Sequence, residues 1–203
     1  MNLIAPLIAI ILLVSSTFTN ASTVAGIEIP DRVPATSERP ELVLNGASLR
    51  ELYLLIDTYV GALYLETPSH DPEFIMDSAM HKRMVFHVKM RKVSARRIAN
   101  ALTEALVVNI TPAQHKELTD ELEQMLSYFT GDLYEGDQSI FDYSPGKGTK
   151  VIVNDNVMGT IQGDDYFKAM LAIWIGENPV GREFKQDVLG LSGTKIQEAV
   201  AGQ

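Results

Sequence analysis

Runs with strand-like β-branched and aromatic character take turns with runs whose apolar positions recur every three or four residues. The segment "ELVLNGASLRELYLLIDTYVGALYLE", Glu41 to Glu66, is rich in Leu, Tyr, Val and Ile. It predicts two or three strands joined by tight turns, one at Asn45-Gly46. "KRMVFHVK", Lys82 to Lys89, predicts another strand. Ser94 can cap a helix whose apolar positions are Ile98, Leu102, Ala105 and Leu106. Thr111-Pro112-Ala113-Gln114 is a second start signal: Thr111 caps, Pro112 suits the first helical position and Gln114 completes a capping box. Leu118, Leu122, Met125 and Phe129 then share one face, with Glu117, Asp120, Glu121 and Glu123 opposite. "SIFDYS" and "TKVIVN" read as strands, Asn154-Asp155-Asn156 as a turn, and "VMGTI" as the return strand. Asp164 caps a helix that buries Phe167, Leu171 and Trp174 and stops at Gly176, and Asn178-Pro179 opens a last helix through Phe184 and Leu189. Strands, helices, strands, helices in this order predict an α+β fold with an antiparallel sheet, because close hairpins leave little room for parallel crossovers.

The ends read differently. The first 27 residues carry no charged side chain, and Leu3 to Val14 is apolar apart from Pro6. Small and polar residues follow up to Ala21, the layout of a secretory signal peptide over residues 1–21, with Ala25 as a second cleavage position. The n-region lacks Lys and Arg, which leaves an uncleaved anchor as the alternative and the only route to a membrane. The apolar part is short of the ~20 residues that a spanning helix needs, which favours cleavage. Residues 22–190 then form one domain, opened by an arm with Pro30, Pro34 and Pro40, and 191–203 form a disordered, small and polar tail. Cys is absent, so neither a disulfide nor a lipid-modified Cys holds the chain. A Gram-negative periplasm fits this layout best.

A net charge of −9 argues against a nucleic-acid partner unless cations cluster. They do so only from Lys89 to Arg97, where a solvated strand end leading into a helix is the simpler use. "SPGKGT" looks like a phosphate loop, but Gly148 separates Lys147 from Thr149 and a β-branched strand follows. A phosphate loop needs a helix there, so the glycines predict a hairpin bend. His70, His81, His87 and His115 lack metal spacing, and no nucleophile motif or cofactor fingerprint appears. Arg50 is the most informative ionic residue. It follows the Asn45-Gly46 turn and opens a long apolar strand, Leu52 to Leu65, where it can fix a carboxylate or an enolate with paired hydrogen bonds, while a surface pair with Glu51 or Glu41 is its simpler use.

"LVLNGASLR", "YVGALYLE", "YSPGKGT", "MGTIQGDDYFKAMLAIWIGENPV" and "VLGL" together resemble the chalcone isomerase-like family in its bacterial secreted branch, over about Val24 to Gly190. The resemblance implies a large antiparallel sheet covered on one face by a layer of helices, an open-faced β-sandwich, with a ligand cleft between the layers. Chalcone isomerases close a flavanone ring without a cofactor: an Arg holds the substrate oxygen, a Tyr and a Thr organise a water, and an Asn with another hydroxyl touches the phenol rings. Carried over, Arg50 takes the place of the Arg, Tyr59 (beside Thr58) that of the Thr, Val93 that of the Tyr, Asn100 that of the Asn, and Ile173 (beside Trp174) that of the late hydroxyl. Most of the hydroxyl network is therefore missing, and each lost donor to an oxyanion costs about 10²–10³ in rate.

Non-catalytic relatives bind fatty acids through the Arg. The resemblance thus implies a binding domain for a small apolar, carboxylate-bearing ligand, with Arg50, Tyr59 and Asn100 at the head and Ile173, Trp174 and Phe86 along the tail. The alternative is a cofactor-independent isomerase of the intramolecular lyase type, with Arg50 and Tyr59 catalytic, acting on an enone-like substrate. A structural or partner-binding envelope domain is a third reading. None of the three needs a metal.

Overall fold

In the computed structural model of the protein, the described residues are 21–52 and 56–192. The signal-peptide expectation falls on residues 1–20, outside them apart from Ala21, and the expected tail lies outside them from residue 193.

The main sheet has seven antiparallel strands in the order β11-β10-β9-β6-β5-β4-β3. They are β3 (Arg32–Val33), β4 (Leu42–Leu52), β5 (Ile56–Leu65), β6 (Lys82–Val88), β9 (Gln138–Ser144), β10 (Gly148–Val153) and β11 (Asn156–Ile161). Side chains alternate between two cores as the pleat requires. Leu63, Leu65, Met84, Phe86, Val88, Phe141 and Tyr143 join the larger core beneath the helices. Val60, Ala62, Tyr64 and Val85 point into a smaller core on the other face. That face is covered by Ile29 of a hairpin formed by β1 (Ala21–Val24) and β2 (Ile27–Pro30). Charge also lies there: Arg39 and Arg83 converge on Asp142.

The helices are α1 (Pro72–Asp77), α2 (Ala95–Val107), α3 (Pro112–Glu117), α4 (Thr119–Tyr128), α5 (Asp165–Ile175) and α6 (Arg182–Val188), with a small ladder of β7 (Lys92–Ser94) and β8 (Asp132–Tyr134). The α+β class and the helix layer on the sheet agree with the sequence expectation. Helix α5 is the centre of the layer, with Tyr166, Phe167, Met170, Leu171, Trp174 and Ile175 all buried. The Thr111 capping box is present, and Leu118, Leu122, Met125 and Phe129 are buried.

Several local expectations are corrected. Asn45-Gly46 is not a turn but a bulge inside the eleven-residue β4. The Asn45 amide instead ties three segments together, donating to the Val188 carbonyl and accepting from the Ser69 N–H, both at 2.8 Å. Arg50 consequently sits near the end of β4 rather than at the opening of a strand. Ser94 and Asp164 occupy N-cap positions without a side-chain cap bond. The Asp164 carboxylate accepts from the Gly146 N–H at 3.0 Å, tying the glycine bend to α5. The last helix starts at Arg182, after Gly181, and not at Asn178-Pro179. The "SPGKGT" segment is the β9–β10 hairpin bend, with φ of +70° at Gly146 and +90° at Gly148.

Candidate functional site

Arg50 and Tyr59 are direct cross-strand partners on β4 and β5. Opposite residues of an antiparallel pair project from the same face, and here it is the helix-covered one. The Tyr59 ring meets Phe86 edge-on at 5.3 Å and Phe184 of α6 at 5.9 Å between centroids. Phe86 lies 4.8 Å from the Trp174 ring. The Trp174 indole N–H donates to the Tyr59 hydroxyl at 2.9 Å, closing the group across sheet and helix layers.

This packing has a chemical consequence. Burial pushes the Tyr59 phenol up to about 12, against the opposing pull of the Trp174 hydrogen bond and the Arg50 charge. The phenol therefore stays protonated at neutral pH. Trp174 uses its oxygen as an acceptor, which leaves its own proton to donate. Arg50 is half-buried, and its guanidinium donates to the Glu51 backbone carbonyl. Among the described residues it has no carboxylate partner: Glu41, one candidate from the sequence, pairs with Arg32. A Cβ placed on Gly181, just before α6, would stand 3.8 Å from the Arg50 Nε. The result is an uncompensated guanidinium and a neutral phenol side by side at the border of an aromatic core, a donor pair suited to one anionic oxygen group.

The other site expectations land less uniformly. The Thr58 hydroxyl is used locally, donating to the Arg50 carbonyl at 2.5 Å. Trp174 is fully buried and belongs to both core and site. Ile173 is a buried core residue of α5 whose carbonyl accepts from the Val180 N–H. Asn100 is exposed on α2, whose buried positions are Ala95, Ala99 and Leu106, and does not join the group. The structure thus brings together Arg50, Tyr59 and Trp174.

Phe184 was missed as a site residue. It fills the groove over β5, and a Cβ on Gly61 would come within 2.6 Å of its ring. A glycine inside an apolar strand signals such a close approach, and Gly61 in "YVGALYLE" carries that signal. The space behind Arg50 is accordingly packed with rings. A cleft of about 670 Å³ lies elsewhere, lined by residues including Ile110, Gln114, Tyr166 and Ala169 and by none of the candidate site residues. Among the described residues no group of His, Asp and Glu is placed to hold a metal.

These elements match a known family. The model of the chalcone isomerase-like family covers residues 21–190, and the chain belongs to that family. Its fold is similar to that of a fatty-acid binding protein of Arabidopsis thaliana, with a TM-score of 0.67 and 17% identity over 83% of this chain and 95% of that one. No curated protein matches the sequence.

Proposed function

We propose that the protein is a binding domain for a small apolar acid. The observation that carries this reading is the Arg50–Tyr59 pair: a guanidinium without a carboxylate partner among the described residues, beside a phenol held neutral, both on the helix-covered face next to an aromatic core. The acid's carboxylate takes hydrogen bonds from Arg50 and from the Tyr59 hydroxyl. Its tail lies over β5 and displaces the Phe184 ring, which sits on the seven-residue α6 and fills that groove. The fatty-acid binding relative of the same fold supports this class of ligand. We place the protein in the periplasm, on the strength of its uncharged apolar N-terminus, which has the layout of a secretory signal peptide.

Trp174 is the only tryptophan, so its fluorescence reads the site directly. Titration with medium-chain fatty acids is expected to change that emission saturably, whereas their methyl esters bind poorly. Charge-assisted hydrogen bonds contribute about 1.5–3 kcal/mol, so Arg50→Ala should weaken binding about 10- to 150-fold. Equal affinity for acid and ester, or an unchanged Arg50→Ala, would refute the reading.

The isomerase reading draws on the same pair. Arg50 and the protonated Tyr59 are both placed to stabilise an enolate, and with the phenol at about 12 Tyr59 acts as donor, not base. Turnover of an enone by the protein, lost in Tyr59→Phe, would favour it over binding alone.

A further inference from the structure

The cleft of about 670 Å³ that lies apart from Arg50 and Tyr59 runs between α5 and the chain from the end of α2 through α3 to the start of α4. One end of it is pinned by a reciprocal pair. The Asn109 amide donates to the Asn178 carbonyl, and its Oδ1 accepts from the Asn178 N–H, both at 3.0 Å. The two walls are therefore held at one spacing before any ligand arrives, which lowers the cost of binding. Leu118, Ala169 and Ala172 give the cleft an apolar surface. Tyr166 also lines it while being only 1% exposed, and its hydroxyl has no hydrogen-bond partner among the described residues. Burial pushes that phenol up, so it stays protonated around neutral pH.

The charge on this cleft has one sign. Glu117 at the end of α3, Glu121 in α4, Asp165 at the start of α5 and Glu177 just after it all line the cleft. None of them enters an ion pair among the described residues, and the one lining cation, Lys168, is held by Asp77. The Oε2 of Glu121 is buried and accepts no hydrogen bond among the described residues. A buried carboxylate oxygen without a donor is costly, and a cationic donor offsets that cost best. The carboxylates do not converge on a point, since among the described residues no group of His, Asp and Glu is placed to hold a metal ion. Separated anions over an apolar surface match positive charges spaced along a flexible hydrocarbon chain better than a single compact ion.

We propose that this cleft binds an aliphatic polyamine. Its ammonium groups pair with Glu117, Glu121, Asp165 and Glu177, and its methylene segments lie on Leu118, Ala169 and Ala172. The Tyr166 hydroxyl accepts from an amine N–H. The cleft shares no residue with the Arg50–Tyr59 pair, so the proposal is independent of the acid-binding reading and is tested without any added acid.

The test is calorimetric titration of the full chain with spermidine at fixed ionic strength. One saturable site is expected, and Mg²⁺ at matched ionic strength should not displace the ligand. Glu121→Gln should weaken binding about tenfold or more, and Tyr166→Phe about 2- to 10-fold. Tyr166→Phe should leave the Tm of the unliganded chain unlowered, because a hydroxyl without a partner holds nothing in place. Asp155→Asn removes a charge from the β10–β11 turn, outside the cleft, and should leave the affinity unchanged. Should Glu121→Gln fail to fold, Glu177→Gln in the exposed segment after α5 takes its place, with a weaker affinity again expected. An unchanged affinity in the cleft variants overturns the proposal. Equal losses in Asp155→Asn and Glu121→Gln, or full displacement by Mg²⁺, overturn it in favour of a diffuse attraction to an acidic surface. Absence of saturable binding overturns it outright, and saturable binding of an oligolysine peptide instead assigns the cleft to a basic protein segment.

Discussion

Replacing Tyr59 with Phe removes one oxygen and leaves the ring in place, so it isolates the bond that joins the sheet to α5. In the wild type the Trp174 N–H donates to that oxygen at 2.9 Å, and Trp174 is fully buried. The variant leaves the indole donor without an acceptor in an apolar surrounding. A buried donor stripped of its partner costs about 1–3 kcal/mol. For a domain of this size 1 kcal/mol corresponds to about 2–4 °C in Tm, so a loss of about 2 kcal/mol is about 4–8 °C. Removing a buried hydroxyl also relieves its own desolvation, which places the expected value in the lower half of that range. Urea unfolding followed by circular dichroism should show a lower midpoint with an unchanged slope. The emission of the single tryptophan should shift, because the group lost is its hydrogen-bond partner. A double-mutant cycle with Trp174→Phe should show the two costs to be strongly non-additive. A destabilisation below about 0.5 kcal/mol, with additive costs and unchanged emission, would refute the reasoning, because surface substitutions away from such features are that mild.

Gly61→Ala places a methyl group within 2.6 Å of the Phe184 ring and should destabilise by about 1–3 kcal/mol; Phe184→Leu should restore part of the loss in the same thermal unfolding assay. Asn45→Ala removes two 2.8 Å bonds that tie β4 to the end of α6 and to Ser69 and should cost about 2–4 kcal/mol by urea unfolding, with much of it from the orphaned backbone groups. The pH profile of stability should have two limbs. Lys82 is 2% exposed, and burial lowers its amine from 10.5 to about 8. Between these values the folded protein has released a proton that the unfolded chain still holds, so stability rises with pH. Tyr59 and Tyr143 behave oppositely: burial raises each from 10.0 to about 12, so the unfolded chain releases its protons first and stability falls above pH 10. Urea midpoints should therefore climb from pH 8 to about 10 and then decline, and Lys82→Met should lose the climb but keep the decline.

The larger pattern was legible because the sheet and the helices each repeat their own period. The α4 face of Leu118, Leu122, Met125 and Phe129, the capping box at Thr111 and the glycine hairpin after Ser144 all follow from local spacing and turn chemistry. The errors come where tertiary contacts override a local signal. Asn45-Gly46 has turn composition, but its amide is recruited by Val188 and Ser69, and the chain runs straight through as a bulged strand. Asn178-Pro179 has a helix-start pattern, but the Asn178 N–H bonds to the Asn109 side chain at 3.0 Å and the helix waits until Arg182. The β1–β2 hairpin was hidden because its strands are four residues each and it covers only the smaller core.

The site divides along the same line. Arg50 was visible as a cation beside an apolar run, and the family resemblance placed Tyr59 and Trp174 near it. The pairing of Arg50 with Tyr59 depends on the register between β4 and β5, which includes a bulge at Arg50/Glu51 that spacing alone does not show. Asn100 fails for a helical reason: α2 turns Ala95, Ala99 and Leu106 inward, and position 100 falls on the exposed side. Phe184 carries no chemistry of its own, so only the geometry at Gly61 brings it into the account.

The central claim, that Arg50 holds the head of an apolar acid, is tested most directly by native mass spectrometry of the protein purified from its own host, with Arg50→Ala alongside. An additional mass is expected on the wild type, released on denaturation as a carboxylic acid and absent from the variant. A wild type that carries nothing and takes up no acid on addition, or a bound acid retained equally by the variant, would contradict it.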